Sequence, residues 1–213
     1  PTGAVATIPF LKELVEFAKT YDIAVCYDNP YSEVVFGVDR LSFLSVPGAK
    51  DVGVELNSLS KPFNMTGWRI GMASGNPDIV GAMAKTKSNT DSGIFNAIQY
   101  AGIEALNKCD TFTEEMVEVY RNRRERVLNT LRNLGWNYDA PKGTFYLWVP
   151  VPKGYDSAGF CDFLLEKCAV VAAPGAAYGV NGEGYIRLSL TVQEDRLNEA
   201  LKRMETNLPK FSF

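Results

Sequence analysis

The chain of 213 residues is 46% hydrophobic and 22% charged, with a formal net charge of −3 and no histidine. That balance suits a globular protein with ample core. It gives no reason to expect nucleic acid as a partner, and no run of about 18 apolar residues is present to span a membrane. Ser-His-Asp and Cys-His catalysis and His-ligated metal sites are excluded. The four cysteines, Cys26, Cys109, Cys161 and Cys168, form no Cys-x-x-Cys pair, so the expectation is a reduced, cytoplasmic protein with buried free thiols and no bound metal.

The first predicted element is a helix capped by Thr7, with Pro9 in its first turn and Phe10, Leu11, Leu14, Val15 and Ala18 on one face. Residues 22–28 read as a buried strand ending in the carboxylate of Asp28. Helix then strand is half of a βαβ repeat, and in open α/β sheets ligands gather beyond the carboxyl ends of the strands, which puts Asp28 and Tyr31 on such a rim. Residues 52–56 alternate as a short strand, and 69–74 read as another. Asn76 and Pro77 open a helix to about Ser88. Residues 92–106 are helical, and a long helix from about Thr113 to Leu134 stops at Gly135. Its Arg121, Arg123, Arg124 and Arg126 are balanced by Glu114, Glu115 and Glu118 and read as a solvated face.

Beyond Gly135, residues 143–149 form a strand of β-branched and aromatic residues bounded by Pro150 and Pro152. A helix over 157–168, a short strand over 169–171, a turn at Pro174-Gly175 and a strand over 184–190 follow. Thr191 and Glu194 fit a capping box that opens the last helix, where Leu197, Leu201, Met204 and Leu208 repeat at helical spacing. In the 184–190 strand Ile186, Leu188 and Leu190 share one face, which leaves Arg187 on the other with Tyr185 and Ser189. This second half is a small α+β unit, and the long helix joins the two parts without a flexible linker.

The stretch densest in chemistry is Ser58-Leu59-Ser60-Lys61-Pro62-Phe63-Asn64-Met65-Thr66-Gly67-Trp68-Arg69-Ile70-Gly71. A lysine just past a strand end, with hydroxyls one and three residues before it and an arginine eight after, suits pyridoxal phosphate. The Lys61 amine can form a Schiff base with the aldehyde, while Ser58, Ser60 and the Arg69 fork hold the phosphate. Asp28 against the ring nitrogen would keep that nitrogen protonated, so that the ring draws electrons from the substrate's α-carbon. Tyr31 can donate its hydroxyl to the ring oxygen, and an arginine on a strand, as Arg187 is, suits bidentate capture of a carboxylate. Each residue also has an ordinary reading: a solvated surface lysine, a turn aspartate, a packing tyrosine, an ion-paired arginine, a charge on a solvent face. Position and spacing alone leave both open.

Four segments taken in order resemble the class I/II (fold type I) pyridoxal-phosphate-dependent aminotransferases: Pro1-Thr2-Gly3, Asp28-Asn29-Pro30-Tyr31, the Lys61 segment and Gly184-Tyr185-Ile186-Arg187. Pro174-Gly175-x-x-Tyr178-Gly179 fits as well, so the likeness covers the whole chain, nearest to the LL-diaminopimelate and aspartate aminotransferase type. The resemblance implies an α/β fold: over residues 1–107, the second half of the large domain with its mainly parallel sheet and flanking helices. Over 108–213 it implies a smaller α+β C-terminal domain entered by the long helix. It implies Lys61 as Schiff-base lysine and proton shuttle, Asp28 and Tyr31 at the cofactor ring, and Ser58, Ser60 and Arg69 at the phosphate. Arg187 would bind the substrate's α-carboxylate, and Asn96 resembles a substrate-side asparagine of the LL-diaminopimelate branch. The implied activity is amino-group transfer between an amino acid and a 2-oxo acid, by a homodimer when intact. Family members are longer, and this chain begins inside their Asn-Pro-Thr-Gly motif. It is therefore expected to be a C-terminal half, lacking the first sheet strands and inactive alone. A carbon–sulfur β-lyase sharing Lys61, Asp28 and Arg187, and a non-catalytic aminotransferase-like effector module of a transcription regulator, are the alternatives.

Overall fold

The computed structural model describes residues 1–211. They divide into two units, Ala6–Val117 and a second built from Pro1–Val5 together with the chain from Glu118 onward.

In the first unit, helix α1 (Ile8–Tyr21) starts where Thr7 Oγ1 accepts the Phe10 N–H. It ends at Asp22, a left-handed residue (φ 52°) whose N–H returns to the Ala18 carbonyl. Leu11, Val15 and Ala18 form its buried stripe at i, i+4 and i+7. Phe10 sits one residue off that stripe and is exposed. Because the left-handed cap takes up the turn out of α1, strand β1 (Val25–Asp28) is shorter than expected. It is also only half covered: Val25 and Tyr27 face inward, while Cys26 and Asp28 are exposed.

Helix α2 (Ala49–Val52) leads directly into strand β2 (Gly53–Ser58), which runs parallel to β1 with Asp28 opposite Leu56. Strand β3 (Gly71–Gly75) returns antiparallel, with Gly71 opposite Ser58. The sheet order is β1-β2-β3, with one parallel and one antiparallel pairing. Leu11, Val15, Phe43, Val46 and Ala49 make the core beside it. Phe43, which stacks on Tyr27 at 5.4 Å between ring centres, is fully buried and so contributes about 2–3 kcal/mol of apolar burial. Helices α3 (Pro77–Thr90) and α4 (Asn96–Lys108) follow, α3 opened by Asn76 Oδ1 accepting the N–H groups of Asp78 and Ile79.

Helix α5 (Asp110–Asn133) begins in the first unit, and its residues from Glu118 belong to the second. It closes at Gly135 (φ 103°). The second unit continues with β4 (Tyr146–Pro150), α6 (Ser157–Cys168), β5 (Ala173–Pro174), β6 (Tyr185–Ser189) and α7 (Glu194–Asn207). Its sheet is antiparallel in the order β4-β6-β5. Ile186, Leu188 and Leu190 are buried, as are Leu147, Val149, Phe160 and Leu164.

Four expectations are corrected here. Residues 169–171 are not a strand, because Ala169 is the left-handed cap of α6 (φ 49°) and pairing begins only at Ala173. The last helix starts at Glu194 with Gln193 as cap, since Thr191 Oγ1 pairs with Ser189 Oγ at 2.8 Å instead of capping. The arginine face of α5 is only partly solvated: Arg123 Nη1 donates to the Leu190 carbonyl (3.0 Å) and Arg124 Nη2 to that of Pro141 (3.1 Å). Of the four free thiols only Cys168 is buried, whereas Cys26 is exposed.

Candidate functional site

The parallel pairing of β1 and β2 brings their carboxyl ends to one edge of the sheet. From that edge the chain leaves β1 at Asp28 toward Tyr31, and leaves β2 at Ser58 toward Lys61. The two exits are tied together by Glu55, a carboxylate only 2% exposed. It accepts hydrogen bonds from Asn29 Nδ2 (2.9 Å), Ser42 Oγ (2.6 Å) and Asn57 Nδ2 (3.1 Å), and Asn57 Nδ2 also donates to the Asn29 carbonyl (3.3 Å). A buried charge is tolerated only when so bonded, and here the bonds fix the segment that carries Asp28 and Tyr31. Burial, and then the Glu55 charge, push the Tyr27 phenol above its ordinary 10.0.

The segment between β2 and β3 is a closed loop. The Leu59 N–H donates to the Ile70 carbonyl (3.3 Å), Ser60 N–H to Ser58 Oγ (3.2 Å), and Thr66 Oγ1 to the Ser60 carbonyl (3.2 Å). Arg69 is left-handed (φ 53°), a conformation uncommon outside glycine, and here it ends the short 3-10 turn Thr66–Trp68. Its Nη1 donates to the Thr66 carbonyl at 3.1 Å. Leu59 and Met65 anchor the loop on Ala105 of α4, with Phe63 and Ile70 packed against them. Thr113 Oγ1 adds a hydrogen bond to the Pro62 carbonyl (3.1 Å). Lys61 is therefore half-buried on a rigid turn, its Nζ 5.4 Å from the centre of the Tyr31 ring.

Ser58, Ser60, Lys61 and Arg69 thus share one loop, next to the exit that carries Asp28 and Tyr31. An amine, two hydroxyls, a guanidinium, a carboxylate and a phenol on one sheet edge make a donor set that fits pyridoxal phosphate. Asn96 stands apart from this description. It is exposed in the first turn of α4, where Gln99 Nε2 donates to its Oδ1 at 3.4 Å. A cavity of about 570 Å³ opens beside Ser58, lined also by Arg40, Glu55, Asn57 and Thr113, but Asp28, Tyr31 and Lys61 are not among its walls.

In the second unit Arg187 sits mid-strand on β6, opposite Trp148 of β4 and Ala173 of β5. Its guanidinium lies over two rings, 4.1 Å from the centre of Tyr146 and 4.9 Å from that of Tyr178. Sequence reasoning placed Arg187 on the correct face but missed these ring partners. Tyr146 could have been found, since it alternates with Trp148 along β4; Tyr178 reaches in from a loop, which strand periodicity does not describe. Glu55 was not legible in the sequence, since alternation puts it on the face opposite Val54 and Leu56, whereas β2 is buried on both faces from Gly53 to Glu55.

Among the described residues no cluster of Cys, Asp and Glu is arranged to hold a metal, and no helix is long and apolar enough to cross a membrane. The family model described as Aminotransferase class I and II matches residues 1–204. The chain is 50% identical to the LL-diaminopimelate aminotransferase of Moorella thermoacetica, over 100% of this chain and 55% of that protein. It is 48% identical to LL-diaminopimelate aminotransferase 2 of Trichormus variabilis, over 96% of this chain and 53% of that protein. The solved structure of substrate-bound BacF from Bacillus subtilis is similar with a TM-score of 0.94 at 37% identity, covering 100% of this chain and 55% of that one. The chain spans about half the length of the curated relatives it matches.

Proposed function

The chain belongs to the aminotransferase class I and II family, whose members depend on pyridoxal phosphate, and we propose that it is the part of such an enzyme that carries the cofactor lysine and the carboxylate-binding arginine. The reaction is transfer of an amino group between an amino acid and a 2-oxo acid, and the names of the relatives favour the LL-diaminopimelate type. Residues 1–107 then belong to the large domain and 108–213 to the small one, in a cytoplasmic enzyme that is a homodimer when intact.

What carries the reading is the closed loop at 58–71, which gathers Lys61, Ser58, Ser60 and Arg69 beside the Asp28 and Tyr31 exit. Bound there, pyridoxal phosphate would supply an electron sink for the substrate's α-carbon. Lys61 Nζ would hold the cofactor and would be the group that takes and returns the substrate's α-proton. Asp28 would keep a proton on the ring nitrogen, and Tyr31 would donate to the ring oxygen. Ser58 and Ser60 hydroxyls and the Arg69 fork grip the phosphate. Arg187 takes the α-carboxylate by a two-point contact, with Asn96 on the substrate side.

The test is reduction with borohydride after adding pyridoxal phosphate, followed by peptide mapping, on the protein from its complete reading frame. A single adduct at Lys61, together with loss of 2-oxoglutarate-dependent transamination in Lys61→Ala, is expected. Retained transamination in that variant would sink the assignment. Release of pyruvate from cystathionine in place of transamination would turn the reading to a β-lyase.

A further inference from the structure

We propose that Tyr146 and Tyr178 are positioning residues that clasp the Arg187 guanidinium between two ring faces and so set its affinity for a substrate carboxylate. This rests on the role given to Arg187 above. An arginine on a strand surface normally samples many rotamers, and ordering it on binding costs affinity. Here the guanidinium carbon is 4.1 Å and 4.9 Å from the two ring centres, within the range of a cation–π contact on each. The fork is therefore ordered before any ligand arrives.

The clasp is itself held. Trp148 meets the Tyr178 ring edge-on (5.6 Å, 77°) and stacks on Tyr185 (5.6 Å, 16°). All four rings are on the Arg187 side of the sheet or come to it, opposite the buried Ile186 and Leu188. The backbone that carries Tyr178 is closed by two glycines: a Cβ on Gly175 would stand 1.9 Å from the Gly182 carbonyl oxygen, and one on Gly182 2.1 Å from that of Gly175. The same loop is pinned to the start of α6 on both sides of Tyr178. Glu183 accepts from the Ser157 N–H (2.7 Å) and Ser157 Oγ (2.8 Å), and Ser157 Oγ accepts from the Ala176 N–H (3.3 Å). Ser157 is 0% exposed. A loop anchored this firmly around one ring, with that ring over the arginine, serves the arginine.

The experiment uses the protein from its complete reading frame and glutarate, an unreactive dicarboxylate, titrated by calorimetry. Tyr178→Ala should weaken glutarate binding about tenfold, the scale of one cation–π contact withdrawn from a partly desolvated cation. Tyr178→Phe, which keeps the ring face, should restore it. In turnover, KM for both the amino acid and the oxo acid should rise by the same factor in Tyr178→Ala with kcat little changed, the pattern of lost uniform binding. Tyr178→Leu keeps the bulk without the ring and carries the same expectation should the alanine variant not fold. Unchanged glutarate affinity in the alanine or leucine variant, equal loss in Tyr178→Phe, or no glutarate binding by the unaltered protein overturns the inference. A protein that binds glutarate through Tyr178 yet forms no borohydride adduct at Lys61 leaves the clasp standing and sinks the proposed function instead.

Discussion

The Tyr138 hydroxyl is buried with no hydrogen-bond partner among the described residues. Burial pushes its phenol from 10.0 up to about 12, with Arg124 and Arg132 pulling the other way more weakly. The unfolded chain releases this proton near pH 10 and the folded one only near 12. Between the two values the folded state binds more protons, so stability is complete below pH 10 and is lost as the pH rises toward 12. The loss should reach about 2–3 kcal/mol. Tyr138→Phe removes a desolvated hydroxyl that gains nothing in return, so it should raise stability at neutral pH by about 1–2 kcal/mol and flatten the alkaline decline. Urea unfolding at a series of pH values measures both, and identical alkaline slopes for the two proteins would rule the account out. Such a residue is invisible in sequence, because nothing in Asn137-Tyr138-Asp139 says where the hydroxyl points. Arg187 is the contrary case: alternation alone assigned its face, since β6 has one fully buried side.

Elements were legible where a period and a cap agree. Residues 157–168 form α6 with the bounds read from sequence. The strand expected at 169–171 failed because Val170 and Val171 have the right side chains but no partner strand, and Val171 is left largely in solvent. The expected capping box at Thr191 failed because Ser189 offered its hydroxyl first. Helix α6 is capped locally by Asp156 Oδ1, which accepts the Gly159 N–H (2.7 Å), and a second carboxylate at its start comes from far along the chain. Glu183 receives hydrogen bonds from the Gly184 N–H and from the N–H and hydroxyl of Ser157, which hold its carboxyl below the ordinary 4.5. A carboxylate at a helix N-terminus also gains from the helix dipole. Because the folded pKa is the lower one, the stabilisation is whole above pH 4.5 and fades as the pH falls through the folded value. Glu183→Gln should therefore melt below the unaltered protein at neutral pH, with the gap closing only under pH 4.5. A gap that does not depend on pH would mean the carboxylate's charge plays no part in the clasp.

For the molecule as a whole, the first unit leaves apolar surface that its own residues do not cover. Helix α3 buries none of its residues, and along α4 Phe95 is 73% and Tyr100 69% exposed, with Ile103 and Leu106 also in solvent. Both outer strands of the β1-β2-β3 sheet present an unpaired edge among the described residues. Periodicity could not have foreseen this, because it reports which residues prefer burial and not whether anything is there to bury them. Several large apolar side chains left in solvent along one helix suit a covered face, and the relatives extend well beyond the half that this chain matches. The 213-residue chain expressed alone should accordingly bind a hydrophobic dye strongly and self-associate in sedimentation, through surfaces that include α3 and α4. A protein of the relatives' full length, were the reading frame to encode one, should bind little dye and sediment as a discrete species. Replacing Phe95 and Tyr100 by serine should reduce dye binding by the short chain while weakening the long one, since the same side chains are free in the first and covered in the second. A short chain that binds no dye and sediments as a monomer would mean these faces need no cover, and the reading of the chain as one part of a larger fold would fall.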